Sequence, residues 1–226
     1  MKKTASIIII VLVCLGFAYF LFKISPDTPA PSTTNYNSAL NTSQPQAISQ
    51  PPAFDPATDH YLGSPKAKNV FIEYGDMQCP ACAAYSDILN QVPATFTDTV
   101  FVFRYFPLIQ IHKNSVESAL AVEAAGAQGK FWEMHDLLFA KQPDWEGMDE
   151  PMDTFVAYAQ QVGVTNIDQF KNDITSKKYL ASIQKGFTEA AGLNLPGTPS
   201  LFFNGHVLKN QDLNGLKTQA QPFLVK

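Results

Sequence analysis

Cysteine is scarce in this chain, with three in 226 residues, and the scarcity excludes several classes at once. There is no disulfide framework of the kind that holds small exported domains together. There is no full zinc set either, because Cys14 lies inside an apolar run and leaves Cys79 and Cys82 two good ligands short. No metal and no other cofactor is expected. Charge is scarce as well: Asp, Glu, Lys and Arg make up 16% of residues and the net charge is −4, so nothing points to nucleic acid. What the chain does have is 46% hydrophobic residues, enough for one globular domain plus additional segments.

Met1, Lys2 and Lys3 precede an apolar run over residues 5–22, roughly 27 Å long at about 1.5 Å per residue and so near the thickness of a bilayer core. Lysines ahead of the run keep the N-terminus on the cytoplasmic side and export the remainder. A cleaved signal peptide has the same outline, but the apolar run is long and no clear A-x-A site follows, which favours an uncleaved anchor over residues 1–22. Residues 23–58 are rich in Pro, Ser, Thr, Asn and Gln, nearly uncharged and without apolar periodicity, and read as a disordered linker. The domain is expected over residues 59–226. No separate dimerisation segment is visible, so a monomer is expected.

Only Cys79 and Cys82 belong to the exported part, and they stand as Cys79-Pro80-Ala81-Cys82. A strand-like run over 69–74 ends at Gly75, and the cysteines open an amphipathic helix whose apolar face runs Cys82, Tyr85, Leu89, Val92 and Phe96. Cys79 is expected at the helix N-cap, with Pro80 at the first helical position, where a missing N–H costs nothing. Unpaired N–H groups and the positive end of the helix stabilise thiolate over thiol, which lowers such a cysteine from about 8.5 into the range of about 3.5 to 7.5. Cys82, three residues on, shares the helical face and points further inward. The expectation is an exposed, attacking Cys79 and a resolving Cys82. The other readings are half of a zinc site or a structural disulfide, and a disulfide closing so small a loop gains little chain entropy.

A second strand is expected over 100–106, bounded by Pro107, so that the two strands and the helix make a βαβ unit. Helical patterns follow over 115–128, 131–140, 152–162, 167–172 and 178–191. Strands then return at 201–203 and 206–208 around Asn204-Gly205, a strong hairpin signal, before a last helix over 212–223. The order is βα, β, a helical block, ββα. His112 and His135 are read as packed, hydrogen-bonded histidines rather than metal or acid–base groups. Asp76 is read as a solvated loop residue or a local cap.

Taken together, Glu73-Tyr74-Gly75-Asp76-Met77-Gln78-Cys79-Pro80-Ala81-Cys82, Phe106-Pro107-Leu108, the run from Lys130 to Phe139 and Gly197-Thr198-Pro199 resemble the DsbA-like branch of the thioredoxin superfamily, in its membrane-anchored bacterial form. The resemblance covers nearly everything after the linker. It implies an α/β thioredoxin fold with a helical insertion at about 112–192, and a thiol–disulfide oxidoreductase with Cys79 nucleophilic and Cys82 resolving. It also implies a cis Thr198-Pro199 bond beside the cysteines, where the Thr198 backbone would pair with substrate. Glu73 stands where the family often has a buried acid. There it would shuttle a proton to Cys82; an exposed strand-end glutamate is the alternative. One departure stands out: many strongly oxidising relatives have a histidine between the cysteines, and Ala81 offers only its backbone.

The resemblance implies exported proteins with cysteine thiols as substrates and a membrane partner that reoxidises the pair. The leading expectation is an oxidase. A reductase or isomerase would use the same chemistry, and a non-enzymatic binding module or metallochaperone is the reading from a different class.

Overall fold

The computed structural model describes residue 40, residues 46–209 and residues 212–226. The chain divides into two units, residues 1–32 and 33–226, and every described residue belongs to the second. The expected anchor at 1–22 therefore lies outside the described residues, as does most of the expected linker. Among the described residues no helix is long and apolar enough to cross a membrane.

Strand β1 (His60–Leu62) leads into β2 (Asn69–Gly75), helix α1 (Pro80–Leu89), the short α2 (Val92–Thr95) and β3 (Thr99–Tyr105). A block of helices follows: α3 (Ser115–Gly126), α4 (Phe131–Ala140), α5 (Gln142–Trp145), α6 (Met152–Gln161), α7 (Ile167–Thr175) and α8 (Leu180–Gly192). The chain then returns to the sheet through β4 (Ser200–Phe203) and β5 (His206–Leu208), and α9 (Leu213–Ala220) closes the fold. The sheet order is β1-β3-β2-β4-β5. Among the described strands only β2 and β3 run parallel, with Glu73 beside Phe103, while β1, β4 and β5 pair antiparallel to their neighbours.

Alternation along β2 and β3 divides the core between the two faces of the sheet. Phe71 and Phe101 join Leu89, Val92, Phe96, Leu216 and Ala220 on the α1, α2 and α9 side. Ile72, Tyr74, Val100 and Val102 pack toward Ala190 and Phe187 of α8. The helical block has its own core, with Trp145, Phe155, Phe170 and Met134 fully buried, and it continues through Phe103 and Tyr105 to Met77, Cys79 and Cys82. Gly186 lets α8 approach the backbone of Tyr105, where a Cβ would collide.

The short α5 was not among the expected helices, and further features differ from the sequence reading. The CxxC helix stops at Leu89 instead of running to Phe96, because Asn90 closes it and Pro93 opens a separate turn, α2. Strand β1 was not foreseen; three residues are too few to show a period. The domain also begins before residue 59, within the stretch read as linker. Ile48 donates its N–H to Gly192 O at 2.9 Å, and Arg104 holds the carbonyls of Pro52 and Ala53 at 3.0 and 3.2 Å. The buried Arg104 guanidinium needs acceptors, and backbone carbonyls serve whatever the composition of the segment that carries them. Leu40 is buried too.

Candidate active site

Strand β2 ends at Gly75, which leaves room for the Phe103 ring and the Glu73 carboxyl, since a Cβ there would meet them at 2.5 and 3.0 Å. The chain turns through Asp76, Met77 and Gln78, and Cys79 occupies the N-cap of α1 with φ −77° and ψ 120°, followed by Pro80 at the helix start. The turn is closed by the Cys79 N–H on Asp76 O at 3.0 Å, and the Cys79 carbonyl accepts the first helical bond from Ala83 at 3.1 Å. This matches the capping geometry expected from the sequence.

The cysteines are both reduced and both buried. Cys79 is 5% exposed and Cys82 is 0% exposed; Cys82 lies deeper, as expected, but so small a difference in exposure does not by itself set their roles apart. Ionisation does. The Cys82 thiol donates to Cys79 and is the largest influence pulling the Cys79 pKa down to about 5; burial opposes it, and Thr198 and the N–H groups of Cys82 and Ala81 assist. Burial pushes Cys82 well above the ordinary thiol value, reinforced by its bond to Cys79 and by the charges of Glu73 and Cys79. One sulfur is a thiolate at neutral pH and the other a thiol.

Glu73 lies beneath this pair and is 1% exposed. Desolvation raises its pKa from 4.5 to about 8, the Cys79 charge adds to the rise, and a hydrogen bond with Cys82 partly offsets it. Its Oε1 is buried without a hydrogen-bond partner. The exposed strand-end alternative is therefore excluded. A carboxyl that is neutral at pH 7 and touches Cys82 can give or take a proton there.

Thr198-Pro199 is cis, and the chain between α8 and β4 brings it to the cysteines. The Cys79 Sγ sits 3.4 Å from Thr198 O, an interaction the thiol can make and the thiolate cannot. The Thr198 hydroxyl is buried without a partner of good geometry, and a side-chain bond from it to the sulfur favours the thiolate.

The structure adds residues that the sequence reading missed. Of the two readings of Asp76, the local cap holds and the solvated loop residue does not: it is 1% exposed and accepts from the N–H two residues on. Its Oδ1 accepts from Gln78 N at 2.8 Å, and its Oδ2 accepts from Leu108 N at 2.8 Å and from His112 Nδ1 at 2.7 Å. Gln78 Oε1 accepts from Asn114 N at 2.6 Å, and Gln142 donates to the carbonyls of Met77 and Cys79 at 2.9 and 3.2 Å. The helical block thus clamps the loop before Cys79. His135 is packed as expected, with Nδ1 on Asp136 at 2.9 Å and burial lowering its pKa. Among the described residues, no group of three or more His, Cys, Asp or Glu side chains is placed to hold a metal ion.

A family model described as thioredoxin matches residues 55–221. The chain belongs to the thioredoxin family. Among solved structures, oxidised BdbD from Bacillus subtilis superposes on this thioredoxin domain with a TM-score of 0.67 and 25% identity, covering 79% of this chain and 97% of that one. A thioredoxin-like oxidoreductase from Silicibacter pomeroyi DSS-3 follows at 0.62 and 23%, over 75% and 93% of the two chains. MdbA, a thiol-disulfide oxidoreductase from Corynebacterium diphtheriae, shares the fold at 0.59 and 18%, over 82% and 98%. The thioredoxin fold with helices inserted between β3 and β4 is the DsbA-like architecture that the sequence motifs implied.

In sequence, the chain is 38% identical over 154 residues to Na(+)/H(+) antiporter NhaA 1 of Mycolicibacterium gilvum (strain PYR-GCK), which is 67% of this chain and 24% of the antiporter. The same antiporter name recurs for Salinispora arenicola (strain CNS-205), at 35% identity over 67% of this chain and 22% of the relative. The chain spans about a quarter of the length of these curated relatives.

Proposed function

We propose that Cys79 and Cys82 are the redox pair of this thiol–disulfide oxidoreductase and that it works as an exported oxidase. It would pass its disulfide to cysteine thiols of newly translocated proteins. The observation that carries the direction is the seat of Cys79 at the N-cap of α1 beside the Cys82 thiol, which lowers its pKa to about 5. Stabilising the thiolate stabilises the reduced state, so the disulfide is given up readily.

In the oxidising half-reaction a substrate thiolate attacks the Cys79 sulfur. The Cys79–Cys82 bond breaks, Cys82 leaves with the electron pair, and Glu73, raised to about 8, supplies its proton. A mixed disulfide now joins Cys79 to the substrate. The second substrate thiolate attacks the substrate sulfur of that bond and expels Cys79 as a thiolate. Two electrons have moved from substrate to enzyme; both substrate protons have gone to solvent, and Glu73, left as a carboxylate, takes one proton back to restore the starting state. The main chain of Thr198 beside Cys79 would align an extended substrate segment. Return to the disulfide requires an electron acceptor, which we assign to a membrane partner.

The apolar run after Met1-Lys2-Lys3 supports a tether in the cell membrane, with the N-terminus cytoplasmic and the domain outside. Full-length protein should stay with membranes through an alkaline wash; release of a shortened mature form would identify a signal peptide instead.

Equilibration of the domain with glutathione buffers tests the direction. The expected midpoint lies above about −200 mV, and a midpoint near that of thioredoxin, about −270 mV, would make the protein a reductase.

A further inference from the structure

We propose that His112, oriented by Asp76, is the cationic positioning residue that supports the Cys79 thiolate, in place of any side chain between the two cysteines. The inference rests on Cys79 being the attacking thiol. Ala81 brings no charge to the pair, and the cation comes instead from the turn between β3 and α3.

That turn is fixed against the CxxC loop at three points. Leu108 N and His112 Nδ1 both donate to Asp76 Oδ2, at 2.8 and 2.7 Å, and Asn114 N donates to Gln78 Oε1 at 2.6 Å. The turn is closed internally by His112 N on Leu108 O at 3.0 Å. Asp76 also accepts from Gln78 N through its side chain and from Cys79 N through its carbonyl. One buried carboxylate therefore joins the imidazole to the backbone that holds the Cys79 sulfur.

The charges facing His112 are Asp76 from the CxxC loop, Cys79 from the start of α1 and Glu146 from the end of α5. All three favour its protonated form, the Asp76 hydrogen bond most, against a smaller opposing effect of burial. A lone Asp76 carboxylate this close would oppose ionisation of Cys79. Protonated His112 cancels that charge, so the pair turns an unfavourable neighbour into a neutral one, joined through Asp76 to the backbone that holds the sulfur. The coupling is reciprocal: to the extent that His112 favours the thiolate, the thiolate favours the proton on His112.

The test is the rate of iodoacetamide alkylation of the reduced protein against pH, with the labelled cysteine located by peptide mass. His112→Gln keeps a donor for Asp76 but carries no charge, and it should raise the Cys79 midpoint by about one pH unit. His112→Lys keeps the charge and should hold the midpoint near that of the native protein. An unmoved midpoint in His112→Gln, or equal rises in both variants, overturns the inference. Label on Cys82 would instead overturn the assignment of Cys79 on which it rests. The unsubstituted protein gives a second measurement: by NMR, the His112 midpoint should be higher in the reduced form than in the disulfide form, and equal midpoints overturn the proposal.

Discussion

The sulfur of Cys79 lies 3.4 Å from the main-chain oxygen of Thr198, across 119 residues of sequence. The same Thr198 carries a buried hydroxyl without a partner of good geometry. The carbonyl suits a thiol and the hydroxyl suits a thiolate, so a single residue can satisfy Cys79 in both protonation states.

Thr198→Val removes the hydroxyl and keeps the branched shape and the carbonyl. The thiolate loses one charge-assisted donor, so the Cys79 midpoint should rise by about one pH unit. Ultraviolet absorbance of the thiolate against pH checks this. The stability of the disulfide form, in which no thiolate exists, should change little.

Cys79→Ser should abolish disulfide transfer, whereas Cys82→Ser should accumulate mixed disulfides with substrate. The asymmetry follows from ionisation, since both sulfurs are buried but only Cys79 is pulled down to about 5. Non-reducing gels of the two variants, with a disulfide-bonded unfolded protein as substrate for the remaining sulfur to attack, decide it. Equal trapping by both would refute the assigned roles.

Glu73→Gln keeps the shape of the side chain but cannot ionise. Thiol–disulfide exchange should slow and lose the limb of its pH profile that belongs to Glu73. A stability effect accompanies this. With a pKa of 4.5 unfolded and about 8 folded, the folded state holds the proton more tightly, so Glu73 makes the domain less stable as pH rises across that interval. Burial, the largest cause, persists in the disulfide form. Denaturant midpoints of oxidised protein should therefore fall between about pH 5 and 8 in the native chain and stay flatter in the variant. In reduced protein Cys79 works oppositely: about 5 folded against 9.0 unfolded adds stability as pH rises through that window.

Arg104→Ala should free the arm ahead of β1. Arg104 holds Asp59 through two bonds at 2.8 and 2.9 Å, the carbonyls of Pro52 and Ala53, and the Tyr74 hydroxyl. Its removal strands a buried Asp59, a loss on the order of 3–5 kcal/mol. The denaturant midpoint should drop, and limited proteolysis should open first between residues 46 and 59.

The sequence by itself determined the CxxC helix start, the parallel β2–β3 pair, the helical block and the hairpin at Asn204-Gly205. These are local matters: Pro80 after Cys79 sets a helix N-terminus, alternating apolar residues set strands, and Asn-Gly sets a turn. Asn204 and Gly205 do take the positive φ values, 48° and 82°, that such a turn requires. Tertiary structure decided what depends on partners far along the chain. Burial of Glu73 follows from Phe103 and Gly75 packing around it. Asp76 meets His112 across 36 residues, and Arg104 reaches back 45 to Asp59. No period or short motif records such pairs, because a hydrogen bond or a desolvation cost depends on which groups the folded chain brings within a few ångströms.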